Sequence, residues 1–534
     1  MSLFKRIITL TLVLTMMTGC SFVNNAGAQK VFNFADSGYV TSLDASKAID
    51  ETSTNVIQAF GDGLYAYNVK SKLKPAIAKS MKVSDDGKTY TFEIRKNVKW
   101  SNGDPVTAED FVYAWKRALS MRSDASKLLT SYGAAIAGAD EIYNGRRSAD
   151  TLGVYVKDKK LVVNLAYKTS RFMDLVTQPV FFPLNQKFVE AQGDQYATSP
   201  KTLLSCGTYK VSSISRDKIT LKKNKTCYIA KKTNIDLVNM YFGISNEDKI
   251  KMFDEGKIDF AEVTGENAKK YDGKDSSTAD SDSVIWDLVP NFKDQYLSDT
   301  RVREAMSLLL ERKKYNKQAL HDGSHKAQGL LPMGICFNSN KQFIRDASRY
   351  KLKYDKKEAK KTLSKLLNEY KLKKFTFTLT YTNDYPATKA IAGKIKEDLE
   401  ATKQIKVYLK EVNTVDYNQA ELSLLRIKGV CNDAYDYLAP LAVNNQGINH
   451  YANNEFNNYF RTAVNAKDQD ERYYAFLNAE RVAMRDYAFI PVVHQGQRYL
   501  INMSVTDLIR NFCGAPYSFR YMYCLLYTSP SPRD

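Results

Sequence analysis

The chain has 534 residues, enough for two to four domains of ordinary size. Hydrophobic residues make up 44% of it and charged residues 26%, a balance that is typical of soluble globular proteins and excludes disordered, collagen-like and polytopic membrane chains. The formal net charge is +19. Because this charge is spread along the chain, without an arginine-rich arm or a finger-like spacing, no nucleic acid is expected as a partner.

The N-terminal segment predicts export and lipid attachment. Two basic residues precede an apolar run from Ile7 to Thr18, which is shorter than the roughly 20 residues of a membrane-spanning helix. We interpret residues 1–19 as a signal peptide. The run ends in MTGC, which resembles the bacterial lipobox, so Cys20 is expected to carry acyl chains such as palmitate; the alternative is an ordinary signal peptide with an accidental cysteine. Residues 20–29 then form a lipidated leash.

The first regular elements are a hairpin and a helix. Apolar residues alternate between Met81 and Ile94 on both sides of an Asp-Asp-Gly turn, which predicts a β-hairpin with one buried face. Thr107 then caps a helix, with Asp110 in the capping-box position and apolar residues at four-residue spacing. The aromatic residues that we place in the core, rather than against a ligand, are Trp100, Tyr113 and Trp115.

A second predicted hairpin would bring two of the cysteines close together. Two strands, Tyr209–Ile214 and Lys218–Lys222, flank a two-residue turn, and extending their register would bring Cys206 opposite Cys227. The sequence therefore predicts a disulfide between these two cysteines, a prediction that a register slip of one residue would cancel. The other internal cysteines show no C-x-x-C spacing, and one thiol at least stays free. They are Cys336, Cys431 and Cys513.

The second half of the chain predicts helices and a βαβ unit. The acidic, serine-rich stretch from Asp272 to Asp282 is expected to be a surface loop. Helical spacing of apolar residues predicts helices over 302–309 and 355–370, and the strand, helix and strand between Phe375 and Leu409 form the βαβ unit. The fold class is therefore α/β.

The C-terminal residues are left out of this prediction. From Cys524 the chain reads CLLYTSPSPRD, which resembles translated sequencing-adapter or read-through sequence. We expect residues 524–534 to be an artefact and the native chain to end near Tyr523.

Motifs of catalysis are missing from the sequence. It contains no G-x-S-x-G elbow, no phosphate-binding loop, no H-E-x-x-H and no dinucleotide fingerprint, so an enzyme, a cofactor and a metal are not expected. His321 and His325, in HDGSH, have a spacing that would suit a metal on a helix. The glycine between them favours a loop, and we expect a solvated turn.

One long segment resembles a known family. The residues from Asp86 to Leu119 read DGKTYTFEIRKNVKWSNGDPVTAEDFVYAWKRAL, which is similar to the signature region of the extracellular solute-binding proteins, family 5, that deliver oligopeptides to ABC permeases. The likeness continues through LSDTRVREAM at Leu297–Met306 and ERYYAFLNAERVAMRDYAFIPVV at Glu471–Val493. It implies a two-lobed clamshell, like that of periplasmic binding proteins, with an additional domain in the first lobe and a peptide enclosed between the lobes.

The resemblance also implies three domains. Pro75 would mark the point at which the chain leaves the first of them. The expected boundaries are 30–74, 199–284 and 502–523 for domain I, 75–198 for domain II and 285–501 for domain III.

The ligand-binding residues are carried over from the same resemblance. The family binds the peptide ammonium with the aspartate of G-W-x-x-D-Y-x-D-P, and this chain has GVCNDAYDY from Gly429 to Tyr437. Asp433 falls on that aspartate, with Cys431 and Asn432 beside it. A strand-end carboxylate without a ligand is the alternative for Asp433. The chain departs from the pattern at Val430, Ala434 and Tyr437, which leaves the ligand class open.

Asp62, in GDGLY, matches an acidic residue of the family at the rim of domain I. A turn before Gly63 explains this aspartate equally well.

The leading hypothesis is a monomeric, lipid-anchored binding protein that captures oligopeptides and delivers them to the permease subunits of an ABC transporter. It would lie on the outer face of a Gram-positive membrane, or on the periplasmic side otherwise. A second hypothesis keeps the family but changes the solute to a dipeptide, a metal chelate, a sugar or a signalling peptide. An enzyme, such as a surface hydrolase, is the third.

Overall fold

The structure is a computed structural model. It describes residues 29–525 except 170, 333–335, 339–340, 343–349, 351, 384, 386, 432, 443–446, 467–468 and 512–514, with backbone alone at 279–282, 336–338, 341–342 and 469.

The described chain contains both β-strands and α-helices. The strands are β1 Val31–Ala35, β2 Tyr65–Tyr67, β3 Leu73–Pro75, β4 Ala78–Val83, β5 Thr89–Ile94, β6 Val154–Lys157, β7 Lys160–Asn164, β8 Tyr209–Ile214, β9 Lys218–Lys223, β10 Leu237–Tyr241, β11 Phe260–Val263, β12 Ser277–Pro290, β13 His325–Lys326, β14 Cys336–Asn338, β15 Lys341–Gln342, β16 Phe375–Thr382, β17 Ile405–Val412, β18 Leu422–Lys428, β19 Ile490–Ile501, β20 Val505–Thr506, β21 Ile509–Arg510, β22 Tyr517–Ser518 and β23 Tyr523–Cys524. The α-helices are α1 Glu51–Phe60, α2 Ala108–Met121, α3 Ala139–Tyr143, α4 Phe172–Leu175, α5 Gln186–Gln192, α6 Asn246–Asp254, α7 Thr300–Leu309, α8 Lys356–Glu369, α9 Thr388–Glu400, α10 Tyr435–Leu438, α11 Asn454–Asn465 and α12 Gln469–Arg485.

One large sheet runs through the molecule. Its strands follow the order β17-β16-β18-β12-β19-β11-β1-β10-β9-β8. The antiparallel pair β12 and β19 lies in the middle of this order, with β16, β17 and β18 on one side and β1 and β11 on the other. The pair β16 and β17 is parallel and is connected by α9, so the predicted βαβ unit is confirmed.

The hydrophobic cores lie in two groups, one on each side of β12 and β19. Buried residues between 32 and 271, and between 499 and 524, form the cores of what we call the first lobe. Buried residues between 284 and 493 form the cores of the second lobe. The four-stranded sheet β4-β5-β7-β6 and α2 pack together as a separate core within the first lobe.

The structure confirms the first predicted hairpin and helix. Strands β4 and β5 pair antiparallel, and α2 begins with the expected capping box between Thr107 and Asp110. Trp115 is fully buried and donates from Nε1 to the Phe181 carbonyl at 3.0 Å. Trp100 is buried as well and donates from Nε1 to Asp110 at 3.1 Å. Both tryptophans therefore hold the core, as predicted.

The predicted disulfide is wrong in this structure, since Cys206 and Cys227 are both buried free thiols. Near the turn the hairpin has the expected register, with Ile214 opposite Ile219. A β-bulge between Val211 and Ser213 then shifts the pairing by one residue. Because a bulge adds a residue to one strand, the two cysteines lose the alignment on which the prediction rested.

The acidic stretch is also corrected. From Ser277 onward it belongs to β12, which crosses between the lobes with β19. The register of this crossing pair breaks between Ser281 and Ile285, and β19 already pairs with β11 from Arg498 onward. Each crossing strand therefore contributes to both lobes, because a strand of twelve or more residues extends roughly 40 Å. β19 thus pairs within the first lobe over its last four residues, and the expected domain boundaries stay predictions.

One further expectation differs from the structure. His321 lies in a loop, as expected, but it is buried rather than solvated, and its Nε2 lies 2.8 Å from Glu266. Cys524 is buried and donates from its backbone nitrogen to Asn234, and the assignment of residues 524–534 to an artefact stays a prediction. Within the part of the chain that the structure describes, no helix has the length and apolarity of a membrane span, and no group of three metal-ligating side chains occurs.

Candidate functional site

Two cavities lie between the lobes. The first, which we call the charged cavity, has a volume of about 780 Å³. From the first lobe it is lined by the loop 36–39 that follows β1 and by the start of α1, and from the second lobe by Tyr385, Lys389 and Arg426. Because a ligand here contacts both lobes, its binding is coupled to their relative position.

Asp36 and Lys249, two charged residues of the first lobe in this cavity, already have partners within that lobe. The carboxylate of Asp36 accepts from the backbone of Gly38 at 3.0 Å and from the hydroxyl of Thr52 at 3.1 Å, while burial raises its pKa. Lys249 donates to the carbonyl of Glu262, and burial lowers the pKa of this lysine. This part of the cavity wall is thus polar, and both charged groups are already hydrogen-bonded to other groups of the protein.

The second space, which we call the apolar cavity, has a volume of about 680 Å³. The strand end 428–430 of the second lobe faces α1 and residues 124–132 of the first lobe across it. Its apolar lining includes Ala48, Ile49, Leu128, Val180, Val430 and Ala515. This wall suits apolar side chains of a ligand, because burying them removes apolar surface from water.

Glu51 lines both cavities and links the lobes. It stands in the first turn of α1, after Asp50, whose side chain caps the helix by accepting from the backbone of Ser53. Its Oε1 lies 3.0 Å from Lys428 Nζ and 3.9 Å from Arg426. Burial opposes ionisation, but the charges of Lys428 and Arg426 outweigh it, so the pKa of Glu51 lies below its usual value. The helix N-terminus favours the same negative charge.

Asp433, the predicted ammonium-binding residue, forms an ion pair within the second lobe. Arg472 donates to both of its carboxylate oxygens, at 2.9 and 2.7 Å, and the backbone of Tyr435 adds a bond at 2.8 Å. Burial opposes its ionisation, but Arg472 and then Arg171 keep the pKa of Asp433 below its usual value. The carboxylate therefore already has a cationic partner within the protein. Its assignment to the ammonium stays a prediction, with Arg472 as a competitor.

Arg171, an arginine of the first lobe, also lies close to Asp433. Arg171, just before α4, donates from Nη2 to Asp436 at 2.5 Å and from Nη1 to the carbonyl of Tyr132 at 2.6 Å. Its guanidinium lies over the ring of Tyr435, 4.4 Å from the centroid. Burial opposes its charge, but Asp436, followed by Cys431 and Asp433, outweighs this, and the pKa of Arg171 stays above its usual value. Burial raises the pKa of Asp436, although the charge of Arg171 opposes this shift. The short contact between the two side chains joins the lobes.

The other predicted site residues have different surroundings. Cys431 is fully buried, and its sulfur accepts from Arg171 Nε at 3.1 Å. Its contact with a ligand stays a prediction. Burial raises the pKa of this thiol. Asn432 lies outside the described residues.

Asp62 belongs to a buried network of the first lobe. It forms an ion pair with Arg520 and accepts from the Tyr228 hydroxyl at 2.9 Å, and its Oδ1 also accepts from the backbone of Gly63. Of the two explanations that the sequence left open, this geometry favours the structural one, and the ligand-binding role of Asp62 stays a prediction.

The cleft residues that sequence reasoning missed are Glu51, Arg171, Lys428 and Arg472. Glu51 carried one signal, since an acidic residue after an Asp cap marks the start of a helix. Arg171 and Asp436 are 265 positions apart, and no spacing rule connects them.

Two lobes joined by a pair of crossing strands, with cavities lined from both sides, define a solute-binding protein of the clamshell type. The chain belongs to the bacterial extracellular solute-binding proteins of family 5. The family model described as "Bacterial extracellular solute-binding proteins, family 5 Middle" matches residues 72–449, which is more than half of the chain. The resemblance found in the sequence is thereby confirmed, and with it the two-lobed α/β fold class.

Similar proteins cover nearly the whole chain. It is 26% identical over 505 residues to the dipeptide-binding protein DppE of Bacillus subtilis, covering 91% of this chain and 90% of that protein. It is also 26% identical to the oligopeptide-binding protein OppA of the same organism, covering 97% and 98%. The solved structure of Listeria monocytogenes OppA bound to peptide matches with a TM-score of 0.77 and 26% identity, covering 93% of this chain and 99% of that one.

Proposed function

We propose that this protein captures oligopeptides between its two lobes, outside the cytoplasm, and delivers them to an ABC permease for import. The observation that carries the proposal is the pair of cavities of about 780 and 680 Å³, lined from both lobes and meeting at Glu51. Relatives named as dipeptide-binding and oligopeptide-binding proteins support it, as does the likeness to a structure with bound peptide.

An extended peptide suits this space. The loop 36–39 and the strand end 428–430 line the cavities from opposite lobes, and such segments can offer backbone groups to a peptide main chain. Main-chain bonding is independent of sequence, while side chains enter the cavities. The protein therefore binds and releases its ligand without chemistry, and no catalytic role is part of the proposal.

The same proposal includes the attachment of the protein. Cys20 lies outside the described residues, and its role as the lipidated N-terminus rests on the MTGC motif. Acyl chains on Cys20 would hold a monomer at the extracytoplasmic membrane face, tethered by residues 20–29. The Cys20→Ala variant is expected to leave the membrane fraction. Unchanged fractionation of this variant would contradict lipid anchoring.

A dipeptide is the second candidate ligand, because DppE, one of the similar proteins, is named for dipeptide binding. Mass spectrometry of the material released when the purified protein is denatured separates the two. Peptides of mixed length and sequence support the oligopeptide proposal, and peptides of two residues support the alternative. A single non-peptide solute would refute both.

A pair of variants places the ligand in the cleft. Ile49 lines the apolar cavity and is 61% exposed, so Ile49→Trp can fill the cavity without disturbing a core. Val69 is 50% exposed in the first lobe and belongs to neither lining, which makes Val69→Trp the matched control. We expect Ile49→Trp to release much less peptide than Val69→Trp. Equal amounts would contradict the assignment of the cleft.

A further inference from the structure

Arg171 and Asp436 form a buried ion pair that connects the two lobes. Arg171 comes from the first lobe and Asp436 from the second, and both side chains are 3% exposed. Beside them lies the pair formed by Arg472 and Asp433, with side chains 10% and 6% exposed. Two buried carboxyl groups are thus paired with two buried guanidinium groups, and the formal charges of the cluster cancel.

The cluster lies directly behind two residues that line the apolar cavity. Val430, which lines this cavity, donates its backbone nitrogen to Asp436 Oδ2 at 2.9 Å. Tyr132, which lines it from the opposite side, accepts Arg171 at its carbonyl oxygen. A ligand end in the apolar cavity therefore meets a wall that is backed by two carboxylates, and both of these already have cationic partners.

An ammonium group gains little from such a wall. Moving it out of water costs free energy, and this cost is recovered only when the group finds an unmatched carboxylate. Asp433 and Asp436 each have a guanidinium at hydrogen-bond distance, and an arriving cation would also be repelled by both arginines.

We propose that Arg171 is a specificity-determining residue that supplies, from within the protein, the cation which a peptide N-terminus would otherwise bring to this site. Binding would then not depend on a charged N-terminus, and peptides with a blocked or a free terminus would be accepted alike. This inference rests on the proposed function. If Asp433 instead received the ammonium, peptides with a free N-terminus would bind more tightly than blocked peptides, which is the opposite expectation.

The test compares free and N-acetylated peptides. The probes are two pools of mixed-sequence tetrapeptides, identical except for N-terminal acetylation, and binding is measured by calorimetry. We expect the wild type to bind both pools within about threefold. The Arg171→Gln variant leaves Asp436 unmatched, so it should prefer the free pool by at least about tenfold.

The reverse change provides a second variant if Arg171→Gln does not fold. Asp436→Asn leaves the charge of Arg171 in excess, so this variant should prefer the acetylated pool. Arg171→Lys keeps the cation and should behave as the wild type does. Arg117 forms a comparable bidentate pair with Asp44 inside the first lobe, and Arg117→Gln is the matched control, for which no change in preference is expected.

A strong preference of the wild type for the free pool would overturn the inference and support Asp433 as the ammonium site. Variants that fail to shift the preference in opposite directions would overturn it as well. Binding of neither pool by the wild type would mean that the proposed function itself has failed.

Discussion

Removing the charge of Asp433 should strongly destabilise the second lobe. Its carboxylate is the anionic partner of Arg472, which is bonded through Nε and Nη2 at 2.9 and 2.7 Å. In Asp433→Asn the guanidinium keeps a bond to the Ala463 carbonyl and its place 4.7 Å from the ring centroid of Phe476, but loses its counter-charge. Because breaking a buried pair leaves a charge unmatched, we expect a loss of about 3–5 kcal/mol.

The assay is urea unfolding followed by the fluorescence of Trp286. This tryptophan is buried in the second lobe, and replacing Trp100 and Trp115 by phenylalanine in all variants removes the signal of the first lobe. For a lobe of this size, a loss of 3–5 kcal/mol corresponds to a shift of the midpoint by roughly 1–2 M urea.

Two comparisons make the result decisive. Glu369 and Arg301 form a pair in the same lobe with side chains 39% and 48% exposed, so Glu369→Gln should cost less than about 1 kcal/mol. The double change Asp433→Leu with Arg472→Met removes both charges and should cost less than Asp433→Asn alone. If Asp433→Asn unfolded at the same urea concentration as Glu369→Gln, the reasoning would be refuted.

Three further predictions concern pH and shape. Burial lowers the pKa of His494 to about 4, so the unfolded state takes up a proton at a higher pH than the folded state does. The free energy of unfolding should therefore fall by about 3 kcal/mol between pH 6.5 and 4. Urea unfolding of His494→Gln should lack this dependence on pH. Burial raises the pKa of Asp110 to about 6, so the folded state holds its proton more tightly and loses stability as the pH rises from 4 to 6. Asp110→Asn keeps an oxygen for the bonds from Thr107 and Trp100, and should be more stable than the wild type at pH 8 by up to about 3 kcal/mol; a destabilised variant would contradict this. Small-angle scattering should show a smaller radius of gyration when peptide is added, and an unchanged radius at saturation would speak against closure of the lobes.

Local sequence patterns predicted several helices and strands correctly, because the interactions that form these elements involve residues close together in the chain. The capping box of Thr107 and Asp110 involves residues three apart, and Asp355 begins α8 by accepting from the backbone of Glu358 in the same way. The parallel strands β16 and β17 follow from alternation of apolar residues and from the helix between them. The family signature from Asp86 to Leu119 then indicated the two-lobed fold as a whole.

The tertiary structure decided what depends on contacts between distant segments. A single bulge between Val211 and Ser213 removed the alignment of Cys206 with Cys227, and apolar alternation does not report such an insertion. The aspartate at 433 matched the family pattern by position, but its partner Arg472 lies 39 residues away, on the helix α12.

The residues of the cleft illustrate this difference between local sequence patterns and tertiary contacts most clearly. The chain itself carries a family signature, a lipobox-like motif and an acidic helix start at Glu51, all of which are readable in a single segment. Whether a carboxylate is unmatched depends on which cations the fold brings to it, and Arg171 reaches Asp436 from the opposite lobe across 265 positions. An ion pair forms only when its charged atoms come within about 4 Å of each other, so charge matching is a property of the folded arrangement and not of the sequence around either residue.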